Sequence, residues 1–180
     1  MSGGASIGKG RGGVRAAARG WLVALAALNA FVVDQLVKKL AIAQWRDPPS
    51  STAVVPGYFD RCYVENRGAA FGIFQDNVVP LAVFSVVAFA FLAWRRKELF
   101  GASRTGAAAE TLLYAGLFGN LYDRLARGCV VDMFHFHLKD AWSFPVFNVA
   151  DVYITIAAFF LVLAMIFSPE GKAGGKDDKA

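Results

Sequence analysis

Charged residues are scarce in this sequence. They make up 18% of its 180 residues, against roughly 25% in soluble globular chains. The apolar share is 56%. A soluble domain is therefore disfavoured if the apolar residues gather into spans. Cysteine is almost absent, with only Cys62 and Cys129. They form no C-x-x-C metal spacing, and neither sits in the Gly-x-Cys-x-Gly setting of a nucleophile elbow. Two unpaired thiols are expected, and a disulfide is the alternative. The two histidines, His135 and His137, form an H-x-H pair with no third ligand at matching spacing. No metal is expected there, and an amphipathic interfacial segment is the reading instead. No internal repeat is visible, so an inverted-repeat carrier gains no support. Ser85 lies in an apolar run without a histidine partner, which argues against a serine triad.

The apolar residues do gather. Trp21–Ile42 would rise about 33 Å as a helix, enough to cross a bilayer. Its length and the lack of a cleavage signal make it a retained span, not a signal peptide. Further spans are expected over Val78–Trp94, about Gly106–Tyr122, and Val149–Phe167. The third is rich in Gly and Ala, which suits a central helix that others approach closely. Residues 1–20, with Lys9, Arg11, Arg15 and Arg19, are expected to be disordered, as is the polar tail 168–180. Residues 43–77 and 123–148 remain as an extramembrane layer. Val54–Val55 and Cys62–Val64 suggest short extended pieces there.

Arg95, Arg96, Lys97 and Arg104 cluster between the second and third spans. With the basic N-terminal segment, they mark the cytoplasmic side, where four spans would place both termini. The net charge of +5 then speaks of anionic lipid and topology, not nucleic acid. On that topology Asp34, Lys38, Asn120, Asp123, Arg124, Asp132 and Asp151 gather near the outer interface. None of the spans is expected to carry a charge in its inner half. Charged groups in spans cost roughly 3 kcal/mol each at the centre and usually mark function.

Each of these has a plainer reading. Asp34 and Lys38, four apart, suit an ion pair. Asn120, Asp123 and Arg124 share a helix face and could lock helices together. Asn66, followed by Gly68, could be a turn residue. Asn148 fits a helix N-cap, with Asp151 three residues on. Asp132 could be an ordinary loop aspartate. Taken together, two carboxylates flank one folded-back segment at the membrane edge. Such a pair in a dry site shares a proton and can activate water against an amide. A proton-coupled carrier is the alternative, and would place ionisable groups near the midplane.

Five segments in order carry a resemblance: Asp34-Gln35-Leu36-Val37-Lys38, Asn66-Arg67-Gly68-Ala69-Ala70-Phe71, Gly119-Asn120-Leu121-Tyr122-Asp123-Arg124, Val130-Val131-Asp132 and Phe147-Asn148-Val149-Ala150-Asp151. Over about residues 21–167 the chain resembles bacterial lipoprotein signal peptidase, signal peptidase II, a membrane aspartyl protease. The resemblance implies an all-α membrane protein of four transmembrane helices with a small extracytoplasmic β-cradle and a short interfacial helix. It implies cleavage of diacylglyceryl-modified prolipoproteins before the lipidated cysteine. Asp132 and Asp151 match the catalytic aspartates. Asn66, Arg124, Asn120, Asn148, Asp34 and Lys38 match positions that bind substrate or support the site, and Asp123 and Gly68 are taken as structural. No cofactor and no metal are implied. The expected setting is the bacterial cytoplasmic (inner) membrane, as a monomer among membrane lipids, with the site at the outer face.

Overall fold

The computed structural model describes residues 7–47, 50–68, 77–139 and 141–166. Among them the elements follow in the order α1 (Ile7–Trp45), β1 (Ser51–Val55), β2 (Phe59–Asn66), α2 (Val78–Trp94), α3 (Arg96–Phe100), α4 (Arg104–Arg127), β3 (Val130–Leu138), β4 (Trp142–Ser143) and α5 (Val149–Ile166). The four long helices fall on the four apolar runs. The expected disorder of 168–180 lies outside the described residues, as do residues 69–71 of the Asn66 segment.

The expectation of disorder over 1–20 fails from residue 7 onward. Helix α1 already runs from Ile7. Consecutive alanines at 16–18 favour helix. Arg19 then anchors the segment: its Nη1 donates to Gly101 O, and its Nη2 lies 3.6 Å from Glu110 Oε2. With 39 residues, α1 rises about 58 Å, nearly twice a hydrocarbon layer of about 30 Å.

Only the Ala16–Trp45 part of α1 is both long and apolar enough, among the described residues, to cross a membrane on those two grounds alone. Val78–Trp94 and Val149–Ala164 are apolar but shorter. Burial nevertheless runs opposite to a soluble fold. Leu25, Leu28, Leu36 and Leu40 of α1 are exposed, as are Phe84 and Phe91 of α2 and Phe159 of α5, whereas Asp34, Lys38, Glu110 and Asp123 are fully buried. An exposed apolar surface of this extent needs a covering partner.

Helix α4 is the centre, in contact with α1, α2, α3, α5 and β3. Ser103 Oγ accepts from Gly106 N at its start, and Gly128, at φ 72°, closes it in the left-handed region. Its small residues let neighbours close in. A Cβ at Gly116 would sit 2.5 Å from Ala150 O, and one at Gly119 would sit 2.7 Å from Asp34 Oδ2. Apolar packing forms two clusters. Ala41 and Trp45 meet Val131 and Met133 under the sheet, while Phe100, Ala109, Leu113 and Ala157 pack elsewhere in the bundle.

The strands form one antiparallel sheet in the order β1-β2-β3-β4. The small β-cradle is thus present. Over about 133–145, where the resemblance placed the short interfacial helix, residues 130–138 and 142–143 are strands instead. Val130-Val131-Asp132-Met133-Phe134-His135-Phe136 is rich in β-branched and aromatic residues, which suit a strand. Its backbone groups pair with β2 from Phe59↔Phe136 to Asn66↔Val130.

Gly116→Ala should destabilise the α4/α5 contact, because the new methyl meets a backbone oxygen and Ile154 Cγ1 at 2.7 Å. Overpacking of this kind costs about 1–3 kcal/mol. Thermal unfolding in detergent should show a lower melting temperature. An unchanged one would mean that the two helices part at no cost.

Candidate active site

Helix α1 presents Asp34, Gln35 and Lys38 to α4. All three are buried. Lys38 Nζ lies 2.9 Å from Asp34 Oδ2 and 2.8 Å from Asp123 Oδ2. Arg127 Nη1 bonds Asp123 Oδ1 and donates to Gln35 Oε1 at 2.9 Å. Gln35 Nε2 in turn donates to Asp34 Oδ2 at 3.0 Å and to Asp123 Oδ1 at 3.2 Å. Two cations thus meet two carboxylates, so the cluster is neutral as a whole. The ion pair expected of Asp34 and Lys38 is present, with Asp123 as its third member.

This cluster reaches outward by donated bonds. Ala150 N of α5 donates to Asp34 Oδ1 at 2.9 Å, and Val131 N of β3 donates to Asp123 Oδ2 at 3.3 Å. Lys38 Nζ also donates to Asn120 Oδ1 at 3.1 Å, and Asn120 Nδ2 donates to Asp151 Oδ1 at 2.8 Å. Lys38, Asn120 and Asp151 therefore form a chain of polarised contacts.

Asn148 joins the two candidate aspartates. Its Nδ2 donates to Asp132 Oδ1 at 2.6 Å and to Asn120 Oδ1 at 3.2 Å, while its backbone N donates to Asp151 Oδ2 at 3.1 Å. Its Oδ1 accepts from Asp151 N at 2.9 Å. The last two bonds are a reciprocal capping box at the start of α5. The helix-end reading of Asp151 is therefore correct, but it accounts for only one oxygen. The other accepts from Asn120 beside the cavity.

Asp132 is 2% exposed. Asn66 Nδ2 donates to its Oδ2 at 2.9 Å. Asn66 is also a turn residue, since its Oδ1 accepts from Gly68 N at 3.1 Å. The turn thus aims the amide at the carboxyl. Burial pushes the Asp132 carboxyl up to about 7, and the Asp151 charge adds to this, while the Asn66 and Asn148 amides oppose it. The two aspartates are set apart by environment: Asp132 lies deep, and Asp151 is half-buried.

Asp132, Asp151, Asn66, Asn120 and Arg124 all line one cavity of about 1400 Å³. Its walls are apolar side chains of α2 and α5, with Phe136, Phe144 and Phe147 from the sheet side. The guanidinium of half-buried Arg124 donates to Asn120 O at 3.3 Å. Both cysteines are free. Burial raises both thiols above their ordinary value, which leaves neither as a ready nucleophile.

Three members of buried polar clusters escaped the sequence. Gln35 and Arg127 complete the ion cluster; Arg127 lies four residues beyond Asp123, at helix-pair spacing. Glu110 contradicts the expectation that inner halves carry no charge. It is fully buried in α4, bonds Arg96 Nε, and lies within ion-pair reach of Arg19. A lone carboxylate in a Gly/Ala-rich run, with basic residues on the same side, was the available signal.

Removing one partner from a buried ion pair costs about 3–5 kcal/mol. Lys38→Met should therefore lower stability by about that amount, since Asp34 and Asp123 are left facing each other. Adding Asp123→Asn should cost less than the two single losses summed. Detergent-phase unfolding of all three variants reads this directly, and strict additivity would deny the coupling.

Comparison with known proteins agrees with this geometry. The family model described as signal peptidase (SPase) II matches residues 26–167. A lipoprotein signal peptidase of Clostridium acetobutylicum is 33% identical over 148 residues, covering 79% of this chain and 92% of the relative. One of Streptococcus pneumoniae is 37% identical over 145 residues, covering 81% and 92%. Two solved structures of a bacterial membrane enzyme share the fold. Their TM-scores are 0.71 and 0.66 at 24% and 26% identity, over 88% and 82% of this chain and 94% of each of theirs. The family match runs from the middle of α1 past the end of α5 and takes in the ion cluster, both aspartates and the sheet, which makes this chain a member of the signal peptidase II family.

Proposed function

We propose that the chain is an aspartic endopeptidase that removes signal peptides from diacylglyceryl-modified prolipoproteins, cleaving before the lipidated cysteine. The observation that carries this reading is a single one. Two carboxylates, bridged by Asn148, open on one large apolar cavity. Water held between Asp132 and Asp151 attacks the scissile carbonyl. Asp151, the more exposed member, takes a proton from that water. Asp132, which holds its proton to about pH 7, stabilises the developing oxyanion and supplies the leaving nitrogen. Asn66 and Arg124 meet polar parts of the substrate. The acyl chains lie along Leu81 and Phe84 of α2, which border the same cavity.

Four helices, α1, α2, α4 and α5, span the membrane in this reading, with the sheet on the outer surface. The exposed apolar faces of α1, α2 and α5 support it, as does the cluster Arg95, Arg96, Lys97 and Arg104 opposite the sheet side. Glu110 is closed off by Arg96 and Arg19 instead of lining a path across the bundle, which weighs against a carrier. In a variant without native cysteines, a single cysteine at Lys139 should react with membrane-impermeant maleimide on intact protoplasts. One at Lys97 should react only after lysis. The reverse pattern would overturn the orientation.

Asp132→Asn and Asp151→Asn should each insert and fold, yet lower turnover of a lipidated precursor by at least about 10²–10⁴-fold. Normal processing by either would remove it from the catalytic pair. For the wild type, kcat/KM should fall as pH rises through about 7, because the Asp132 proton is then lost. Stability carries the same sign. The folded carboxyl lies above its ordinary value of 3.8, so the folded state binds the proton more tightly. Its contribution is therefore full at low pH and declines as pH rises through about 7. Asp132→Asn should flatten that slope in pH-dependent unfolding.

A further inference from the structure

Strands β2 and β3 bring together three side chains that the proposed peptidase chemistry does not use. His135 and His137 are two apart on β3 and so share a strand face. Their rings stack with centroids 4.9 Å apart and planes 21° apart. Asp60 of β2 pairs directly with His135 in the sheet register. Its Oδ2 lies 3.2 Å from His137 Nε2. One donor atom from each of the three falls within 4.8 Å of the others. The sequence offered H-x-H without a third ligand, because the third lies 75 residues earlier (135 − 60) and only sheet pairing brings it close.

The geometry points to a divalent transition-metal site on the outer sheet, of the zinc class, held by Asp60, His135 and His137. Two imidazole nitrogens and one carboxylate oxygen are a borderline donor set, which favours Zn²⁺ over Mg²⁺ or Ca²⁺. Zinc bonds to such donors are about 2.0–2.2 Å long. Donors around one ion then stand roughly 3–4 Å apart, so these three need to draw in by about an ångström, within reach of side-chain rotation. Ser143 of β4 lies 2.7 Å from His135 Nε2, a hydrogen bond that fixes the orientation of the ring. The His137 and Asp60 side chains are 16% and 22% exposed, while His137 Nε2 itself is buried and has no hydrogen-bond partner. His137 also borders the large cavity. The cluster is nevertheless separate from the aspartate pair. Three and five residues of strand separate Asp132 from the two histidines, or roughly 10 and 17 Å. A metal here clamps β2 to β3, and through Ser143 reaches β4, on the strand that carries Asp132.

The blander reading is an Asp60–His137 ion pair with a neighbouring ring. Metal binding separates the two. The full chain, purified in detergent without a polyhistidine tag and stripped with chelator, is titrated with ZnCl₂ by calorimetry, and its unfolding is followed with and without zinc. One zinc per chain should bind in the micromolar range and raise the melting temperature. His137→Ala and Asp60→Asn should each weaken binding by at least about tenfold, the scale on which even outer-shell partners act. His135→Ala/His137→Ala should abolish it, since the chain has no other histidine. Should these variants fold poorly, the wild type still decides: no binding at millimolar zinc overturns the site. Undiminished binding by the double-histidine variant also overturns it, by moving the zinc to the aspartates or to Cys62.

Discussion

One buried ammonium holds this structure in register. Lys38 sits between Asp34 and Asp123, with all three side chains shut off from solvent. Burying such charges is expensive, and their mutual attraction compensates only if further hydrogen bonds satisfy what remains. Here they do. Asp34 takes the backbone of α5 through Ala150, Asp123 takes the backbone of β3 through Val131, and Lys38 takes Asn120. The chain segments that bear Asp132 and Asp151 are therefore fastened to the same charge cluster. The cluster touches neither aspartate directly, yet it sets where each begins: Asp132 follows the Val131 anchor, and Asp151 follows the Ala150 anchor.

The anchoring explains why the two aspartates can differ in character. Asp151 lies in the first turn of α5, where its carboxylate accepts from Asn148 N and from the Asn120 amide. Asp132 lies in the interior of a strand, where burial favours the neutral acid. Two chemically identical side chains thus stand in different surroundings, one in the first turn of a helix and one inside a sheet. Asn148 keeps them in one frame, because it bonds both and also ends the loop between them.

Much of this was legible in the sequence, for physical reasons. The helices showed because apolar runs of about span length have few other uses. The Asp34–Lys38 pair and the Asn148 cap showed because helix periodicity and capping are local. The Gly-rich run of α4 marked the central helix because only close approach rewards so much glycine. What stayed hidden depends on contacts between distant segments. Gln35 and Arg127 joined the cluster only once α1 lay against α4. Glu110 was passed over because its partners, Arg19 and Arg96, come from two other elements. The segment after Asp132 formed strands because β2 was there to pair with it, where resemblance had suggested a helix. The helical start at Ile7 rests partly on the same cause, since the Arg19 contacts with Glu110 and Gly101 are tertiary.

Position along the helix bundle links these findings. Polar groups gather in two layers and not along the whole bundle. One layer, from Asp34 to Asp151, is a continuous hydrogen-bonded set that meets the sheet and the cavity. The other, around Glu110, Arg96 and Arg19, is smaller and sits at the far end of α4. Between them α4 offers mainly Gly, Ala and Leu, so helices there approach by shape alone. A bundle held by charge at both ends and by close packing between them resists shear of one helix past another. That rigidity is what a pair of carboxylates needs, because a misplacement of about 1 Å can cost a reaction about 10²-fold. Thus the same polar groups that are costly to bury also keep Asp132 and Asp151 in position.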